Sequence, residues 1–101
     1  MSITSRISED GREITIYIKG RFDFNSHQDF REHYESIKHP GAKYVIDMSG
    51  AEYMDSSALG MLLLLREQAG NDKANIDIVQ CRPEIRKILE IAHFHQLFKI
   101  H

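Results

Sequence analysis

Polar and apolar residues alternate along the first quarter of the chain, a pattern typical of β-strands with one buried face. The alternation covers residues 3–7 and returns in 14–18, where every second position is an isoleucine. Asp10 and Gly11 between the two runs form a strong turn dipeptide, and Gly20 ends the second run. The pattern therefore predicts an N-terminal β-hairpin.

A change to helical spacing follows the hairpin. Asn25 and Ser26 open the segment, apolar residues recur at helical intervals through 30–37, and the His-Pro-Gly sequence at 39–41 ends it. Ser26 followed three residues later by Asp29 resembles a capping box, in which each side chain would cap the other residue's backbone N–H. We therefore expect a first helix that begins at Ser26.

The second half of the chain alternates short apolar runs with helical stripes. The β-branched run at 44–48 predicts a central strand buried on both faces. A helix is expected from Ser56 or Ser57 to Ala69, then a strand over 76–79. A third helix opens at Pro83.

The order β-β-α-β-α-β-α defines the expected fold class. Two strand-helix-strand units imply parallel strands, and the hairpin adds an antiparallel pair. We predict an α/β fold with a mixed sheet of about four strands, helices mainly on one face, and a short closing segment over 94–100. A chain of 101 residues fits one domain, spanning 1–101.

Charge and cysteine content exclude several classes of function. Thirteen basic and 15 acidic residues give a net charge of −2, which argues against a nucleic-acid or anionic-membrane partner. A single cysteine, Cys81, excludes an internal disulfide and a cysteine-pair zinc site. The run with the fewest polar residues, 58–65, is far shorter than the roughly 20 residues of a membrane span. We expect a cytoplasmic protein.

The start of the second helix carries two serines directly behind a carboxylate, Asp55-Ser56-Ser57. One interpretation is helix capping, because Asp and Ser side chains accept hydrogen bonds from the first free N–H groups of a helix. The other is a phosphoacceptor site, because a phosphate there would face the positive end of the helix dipole. The residues themselves leave both interpretations open.

The same helix has more apolar residues than one buried stripe requires. Leu59, Leu62 and Leu63 are expected to form the stripe that faces the sheet. Three further apolar residues then lie partly outside it: Met61, Leu64 and Leu65. Either this helix is wedged between sheet and neighbouring helices, or Met61 and Leu64 form an exposed patch that docks a partner.

Several motifs in one order resemble a known family. Residues 55–60, Asp-Ser-Ser-Ala-Leu-Gly, resemble the D-S-[ST]-G-L-G signature of STAS domains, specifically those of bacterial anti-sigma factor antagonists. Residues 20–23 fall where that family has G-E-[IL]-D, and 45–48 fit its central strand. Residues 86–89 and 97–100 fit its last helix and closing segment, so the resemblance covers essentially the whole chain.

The resemblance implies a binding protein rather than an enzyme, with no catalytic residue, cofactor or metal. In such proteins the unphosphorylated form binds an anti-sigma factor, often also a serine protein kinase, and a PP2C-type phosphatase reverses the phosphorylation that breaks the complex. By position the phosphoacceptor is Ser56, with Ser57 as the second candidate. The resemblance places Asp23 and Asp55 near the partner surface, and with Ser57 and the apolar Met61 and Leu64 they are the expected partner-binding residues.

Two departures from the family pattern stand beside this site. Ala58 replaces the usual glycine, and Arg21 replaces the usual glutamate, which reverses a charge near the expected partner surface. We interpret them as a change of partner. An alternative is therefore an output module of a partner-switching pathway that binds a non-sigma target, such as a signalling or biofilm regulator. A transporter-associated STAS module is a further alternative.

Other reactive residues are given structural interpretations. Ser56 lacks the G-x-S-x-G context of a hydrolase nucleophile. His93 and His95 could share a face, but no carboxylate or cysteine cluster accompanies them, so we interpret them as surface residues. Cys81 is expected to be a half-buried small residue, and His27 a solvated one.

Overall fold

A mixed β-sheet is the framework of the computed structural model, which describes residues 2–101 and leaves Met1 outside the described part. Five strands occur in that part, in the spatial order β1-β2-β3-β4-β5. Their bounds are β1 Ser2–Ile7, β2 Glu13–Phe22, β3 Lys43–Met54, β4 Asn75–Val79 and β5 Lys99–Ile100. β1 is antiparallel to β2 and the remaining neighbours are parallel, so the predicted α/β fold with an N-terminal hairpin is confirmed.

Three α-helices connect the parallel strands. Their bounds are α1 His27–Glu35, α2 Ser56–Gln68 and α3 Pro83–Ile91. Each helix joins two neighbouring parallel strands, and right-handed connections in one direction along a sheet leave all of the helices on the same face. Within residues 2–101, no helix is both long and apolar enough to cross a bilayer.

The core lies between this helical layer and one face of the sheet. Ile16, Ile46 and Ile78 pair across β2, β3 and β4, and all three are fully buried. Val45 and Asp47, on the opposite face of β3, are only half-buried. The prediction that β3 is buried on both faces is therefore wrong, because no helix of residues 2–101 covers the second face of the sheet.

The C-terminal segment adds a strand that hydrophobic periodicity could not reveal. Lys99 pairs with Asp77, and Ile100 with Ile78, so β5 forms a fifth strand at the edge of the sheet. Two residues are too few to show an alternation, and this strand forms because β4 offers a free edge to it. The sheet thus has one strand more than expected.

Two register shifts lengthen β3 relative to β2. Tyr17 lies opposite Asp47 and Phe22 opposite Met54, so β3 uses two more residues than β2 over the same distance. Gly50 lies at the first shift, where an added Cβ would stand 3.2 Å from the backbone of β2, so a side chain there would push the strands apart. The shifts bring the ends of β2 and β3 opposite each other.

Candidate functional site

The site is built where β2 and β3 end side by side. Phe22 and Met54 are the last paired residues of the two parallel strands, and both are buried. The next residue of each chain segment is an aspartate, Asp23 and Asp55. Because neighbouring strands are about 4.8 Å apart, the two aspartates leave the sheet next to each other. Each one caps the helical segment that follows it.

Asp55 is the N-cap of α2. Its Oδ1 accepts a hydrogen bond from the Ala58 N–H at 3.1 Å. Its carbonyl oxygen accepts bonds from the N–H groups of Ala58 at 3.1 Å and Leu59 at 3.3 Å. Among residues 2–101 neither Ser56 nor Ser57 makes a side-chain hydrogen bond, so both hydroxyls are free of any capping role.

Removing the Asp55 carboxylate should weaken the helix start. Asp55→Ala is expected to lower the free energy of unfolding by about 1 kcal/mol, because one helical N–H loses its partner. Asp55→Asn should restore most of that loss, since an asparagine oxygen caps equally well. Urea unfolding measures both variants. Equal losses in the two variants would contradict a capping role.

Asp23 fixes the turn before α1. Its Oδ1 accepts from the Asn25 N–H at 3.0 Å, and the Asp23 N–H donates to Ser26 Oγ at 3.2 Å, forming a capping box. The box predicted between Ser26 and Asp29 is wrong, because the Ser26 hydroxyl donates back to the Arg21 carbonyl oxygen instead. Ser26 is fully buried, and it occupies the N-cap position of α1, where the sequence predicted that the helix opens.

The positive charge at Arg21 is held against the same strand ends. Its guanidinium lies 3.9 Å from the centre of the Tyr53 ring, which is its neighbour across the two strands. Its Nε is also 3.4 Å from Asp23 Oδ2. The Arg21 side chain remains 62% exposed, so this pairing is an exposed one that contributes little to stability. It leaves a cation beside Asp23.

Ser56 is the first residue of α2 and is exposed, whereas Ser57 is half-buried. The first N–H groups of a helix have no intrahelical partners, so this point carries a partial positive charge. In the described part of the chain no histidine or carboxylate hydrogen-bonds the Ser56 hydroxyl. A negatively charged group at this position would face the free N–H groups of the helix start.

The buried face of α2 differs from the predicted stripe. Met61 is 3% exposed and Leu65 is fully buried, so both lie in the core and the alternative in which Met61 is part of an exposed patch is wrong. Leu63, predicted to face the sheet, is 42% exposed, whereas Leu64 is exposed as predicted. Residues 61–65 are uniformly apolar, so their sequence does not indicate the rotation of the helix about its axis.

A hollow of about 370 Å³ opens beside the serines. It is lined by Phe24, His27, Ser57, Gly60, Met61 and Leu64. The structure thus brings Ser57, Met61 and Leu64 of the predicted binding residues together. Sequence reasoning missed His27, interpreted as a solvated residue, which is half-buried in this wall. Only the neighbouring turn, set by Asp23, places it there.

The other reactive residues lie away from these strand ends in sequence and contacts. His93 and His95 are both exposed, with ring centres 5.9 Å apart. The described residues contain no group of three metal-ligating side chains. Cys81 is half-buried as predicted, and burial raises the pKa of its thiol above the usual value, which disfavours the reactive thiolate.

Comparisons with known proteins agree on one family. The family model named "Mlab, STAS domain" matches residues 5–99. A STAS-domain-containing protein of Pseudomonas aeruginosa (strain UCBPP-PA14) is 57% identical over 100 residues, which is 99% of each chain.

Solved structures show the same fold at low sequence identity. The anti-sigma factor antagonist SpoIIAA in its unphosphorylated form has a TM-score of 0.74 and 16% identity, over 99% of this chain and 87% of that one. The Bacillus cell fate determinant SpoIIAA in its phosphorylated form has a TM-score of 0.73 and 15% identity, over 99% of this chain and 91% of that one.

Proposed function

The chain belongs to the STAS domain family, and on that premise we propose that it is a phosphorylation-regulated anti-sigma factor antagonist. In this proposal the unphosphorylated protein binds an anti-sigma factor that is also its serine kinase. Phosphorylation of Ser56 releases that partner, and a PP2C-type phosphatase restores the binding form. The domain itself acts by binding and performs no reaction.

The observation that carries the proposal is that Asp55, and not Ser56, caps the start of α2. Asp55 supplies the capping hydrogen bond, so the exposed Ser56 hydroxyl beside it is not needed to hold the helix. A kinase can therefore modify Ser56 without removing a stabilising contact. Ser57 is less exposed and forms part of the hollow, which supports Ser56 as the acceptor.

A phosphate at this position would change binding rather than folding. It adds about two negative charges, which would take the net charge from −2 to about −4. The helix N-terminus stabilises an anion, so α2 stays folded. Asp23 and Asp55 already contribute negative charge at the same strand ends, so a partner that fits their carboxylates would meet a bulkier and more acidic surface.

The solved structures of SpoIIAA support this kind of switch. That protein has a similar fold and exists in both an unphosphorylated and a phosphorylated form. The partner-contacting surface we propose here consists of Asp23, Asp55, Ser57 and Leu64, with Met61 as part of its floor. The surrounding STAS fold holds these residues on the ends of strands and on one helix.

Arg21 favours a second candidate within the same mechanism. Its cation stands against Tyr53 and Asp23, where the family pattern has a carboxylate. A partner recognised here must complement a positive group, so a target outside sigma-factor control, such as a signalling or biofilm regulator, is compatible with the site. The switch at Ser56 would be the same in either case.

Phosphorylation in vitro tests the proposal. The protein is incubated with ATP and a serine kinase that binds it, and peptides are mapped by mass spectrometry. We expect one phosphate, on Ser56, and none in Ser56→Ala. The matched variant Ser57→Ala should still accept one. A phosphate on another residue, or none with a kinase that binds the protein, would refute the assignment.

A further inference from the structure

The hollow beside Ser57 is one end of a longer groove between α1 and α2. A second hollow between the two helices shares His27 and Leu64 with the first and continues the groove toward Glu35 and Glu67. A third hollow adjoins both at His27 and lies along the face of α1 that carries Glu32. We propose that this groove binds a basic amphipathic helix of a partner protein.

The near half of the groove is apolar. Phe24 is 73% exposed and Leu64 is 45% exposed, and both border the hollow that Met61 floors. Gly60 leaves this part of the hollow open, because a Cβ added there would point into space with no atom within 4 Å. An apolar side chain of the partner can therefore enter between Phe24 and Leu64, which places a hydrophobic anchor at this end.

The far half of the groove is acidic. Arg31, Glu35 and Glu67 line it, and Glu32 lines the adjoining hollow on α1, so these four charges sum to −2. Arg31 Nε lies 3.1 Å from Glu35 Oε2, so the opposite charges of these two residues cancel. Glu32 and Glu67 remain without an ion pair in the described residues. Lysine or arginine side chains on the occupant would complement them.

The walls of the groove favour a helix over an extended strand. α1 and α2 satisfy their own backbone hydrogen bonds, so they offer an extended chain no partners for its N–H and C=O groups. A helix already satisfies its backbone hydrogen bonds internally, so it can bind these walls through side-chain contacts alone. The occupant is therefore an amphipathic helix with one apolar face and basic flanks.

The basic contacts lie far from the proposed phosphosite. Ser56 and Glu67 are eleven positions apart on α2, which is about 16 Å along the helix axis. That distance exceeds the screening length of about 8 Å at physiological salt. Groove binding by itself should thus depend little on the charge at Ser56. The inference rests on the proposed function only for the identity of the partner protein that carries the helix.

Titration of the ¹⁵N-labelled protein with two synthetic helical peptides tests the groove. One peptide is built from leucine and lysine, and the other has glutamate in place of lysine. We expect the lysine peptide to shift the amide signals of Phe24, His27, Gly60 and Leu64. The glutamate peptide should shift none of them. Equal shifts with both peptides, or shifts centred on α3, would overturn the proposal.

Matched variants separate groove binding from general attraction. Leu64→Asp should weaken the lysine peptide at least tenfold, whereas Leu63→Asp, at nearly the same exposure on the same helix, should change it less than twofold. Glu67→Lys should weaken it severalfold. Glu84→Lys changes net charge equally but lies on α3 and should have little effect. Equal losses within either pair would refute the groove.

Ser56→Asp distinguishes this inference from the proposed function. The lysine peptide should bind Ser56→Asp within about twofold of the unmodified protein. A large loss would show that the peptide occupies the strand ends rather than the groove, and would overturn the inference. Failure of the kinase to modify Ser56 would refute the switch and leave the peptide result unaffected.

Discussion

Ser56→Asp is expected to weaken binding of the partner kinase by at least about 100-fold, whereas Ser56→Ala binds as the unmodified protein does. A hundredfold loss corresponds to about 2.7 kcal/mol, which is the scale of a like charge placed within a close interface. The aspartate carboxylate would stand beside those of Asp23 and Asp55 at the ends of β2 and β3. The alanine variant adds no charge and leaves the cap intact.

Calorimetric titration with the purified kinase measures this effect. Ser49→Asp serves as the control, because Ser49 is exposed and lies on β3 outside the proposed contact surface. It changes the net charge equally and should alter the affinity less than threefold. Equal affinities of Ser56→Asp and Ser56→Ala would exclude a charge switch at this serine. Equal losses of affinity in Ser56→Asp and Ser49→Asp would show that the effect comes from net charge and not from the position of the charge.

Phe22→Ala is expected to lower the free energy of unfolding by about 3–5 kcal/mol, the range for an aromatic residue removed from a packed core. Phe22 is fully buried, and its ring meets the Phe30 ring edge-on at 5.1 Å between centres. The substitution leaves a cavity directly beneath the turn that Asp23 caps. A small domain is stable by only about 5–15 kcal/mol, so much of its stability would be lost.

Phe24→Ala is the matched control for that variant, and urea unfolding measures both. Phe24 is the same residue type two positions later, but it is 73% exposed. Its removal should change the free energy of unfolding by no more than about 0.5 kcal/mol. It should nevertheless weaken the lysine peptide, because Phe24 borders the groove. Similar destabilisation by the two variants would contradict the burial pattern.

Features set by neighbouring residues could be predicted from the sequence. The alternation in 14–18 placed the buried face of β2, and the Asp-Gly pair placed the turn of the hairpin. α2 ends at Gln68, one residue before the predicted Ala69, and Gly70 adopts the left-handed conformation, with φ 110°, that glycine favours after a helix. The segment 55–60 also indicated the family.

Other features depended on residues distant along the chain. Residues 61–65 are all apolar, so their sequence does not show which side chains face outward. Packing against the sheet and the turn before α1 buries Met61 and leaves Leu63 exposed. From the sequence, the Ser26 hydroxyl could bond either to the helix that follows it or to the chain that precedes it. The position of β2 decided the partner, and the hydroxyl donates to the Arg21 carbonyl oxygen.

The sequence by itself determined the fold class, the order of the first four strands and three helices, and the Asp-Ser-Ser segment at a helix start, because turns, caps and periodicities act between near neighbours. Only the tertiary structure decided that Asp23 and Asp55 emerge together and that a groove begins beside Ser57. Both depend on the two-residue lengthening of β3 and on the contact of α1 with α2, which join segments about 30 positions apart.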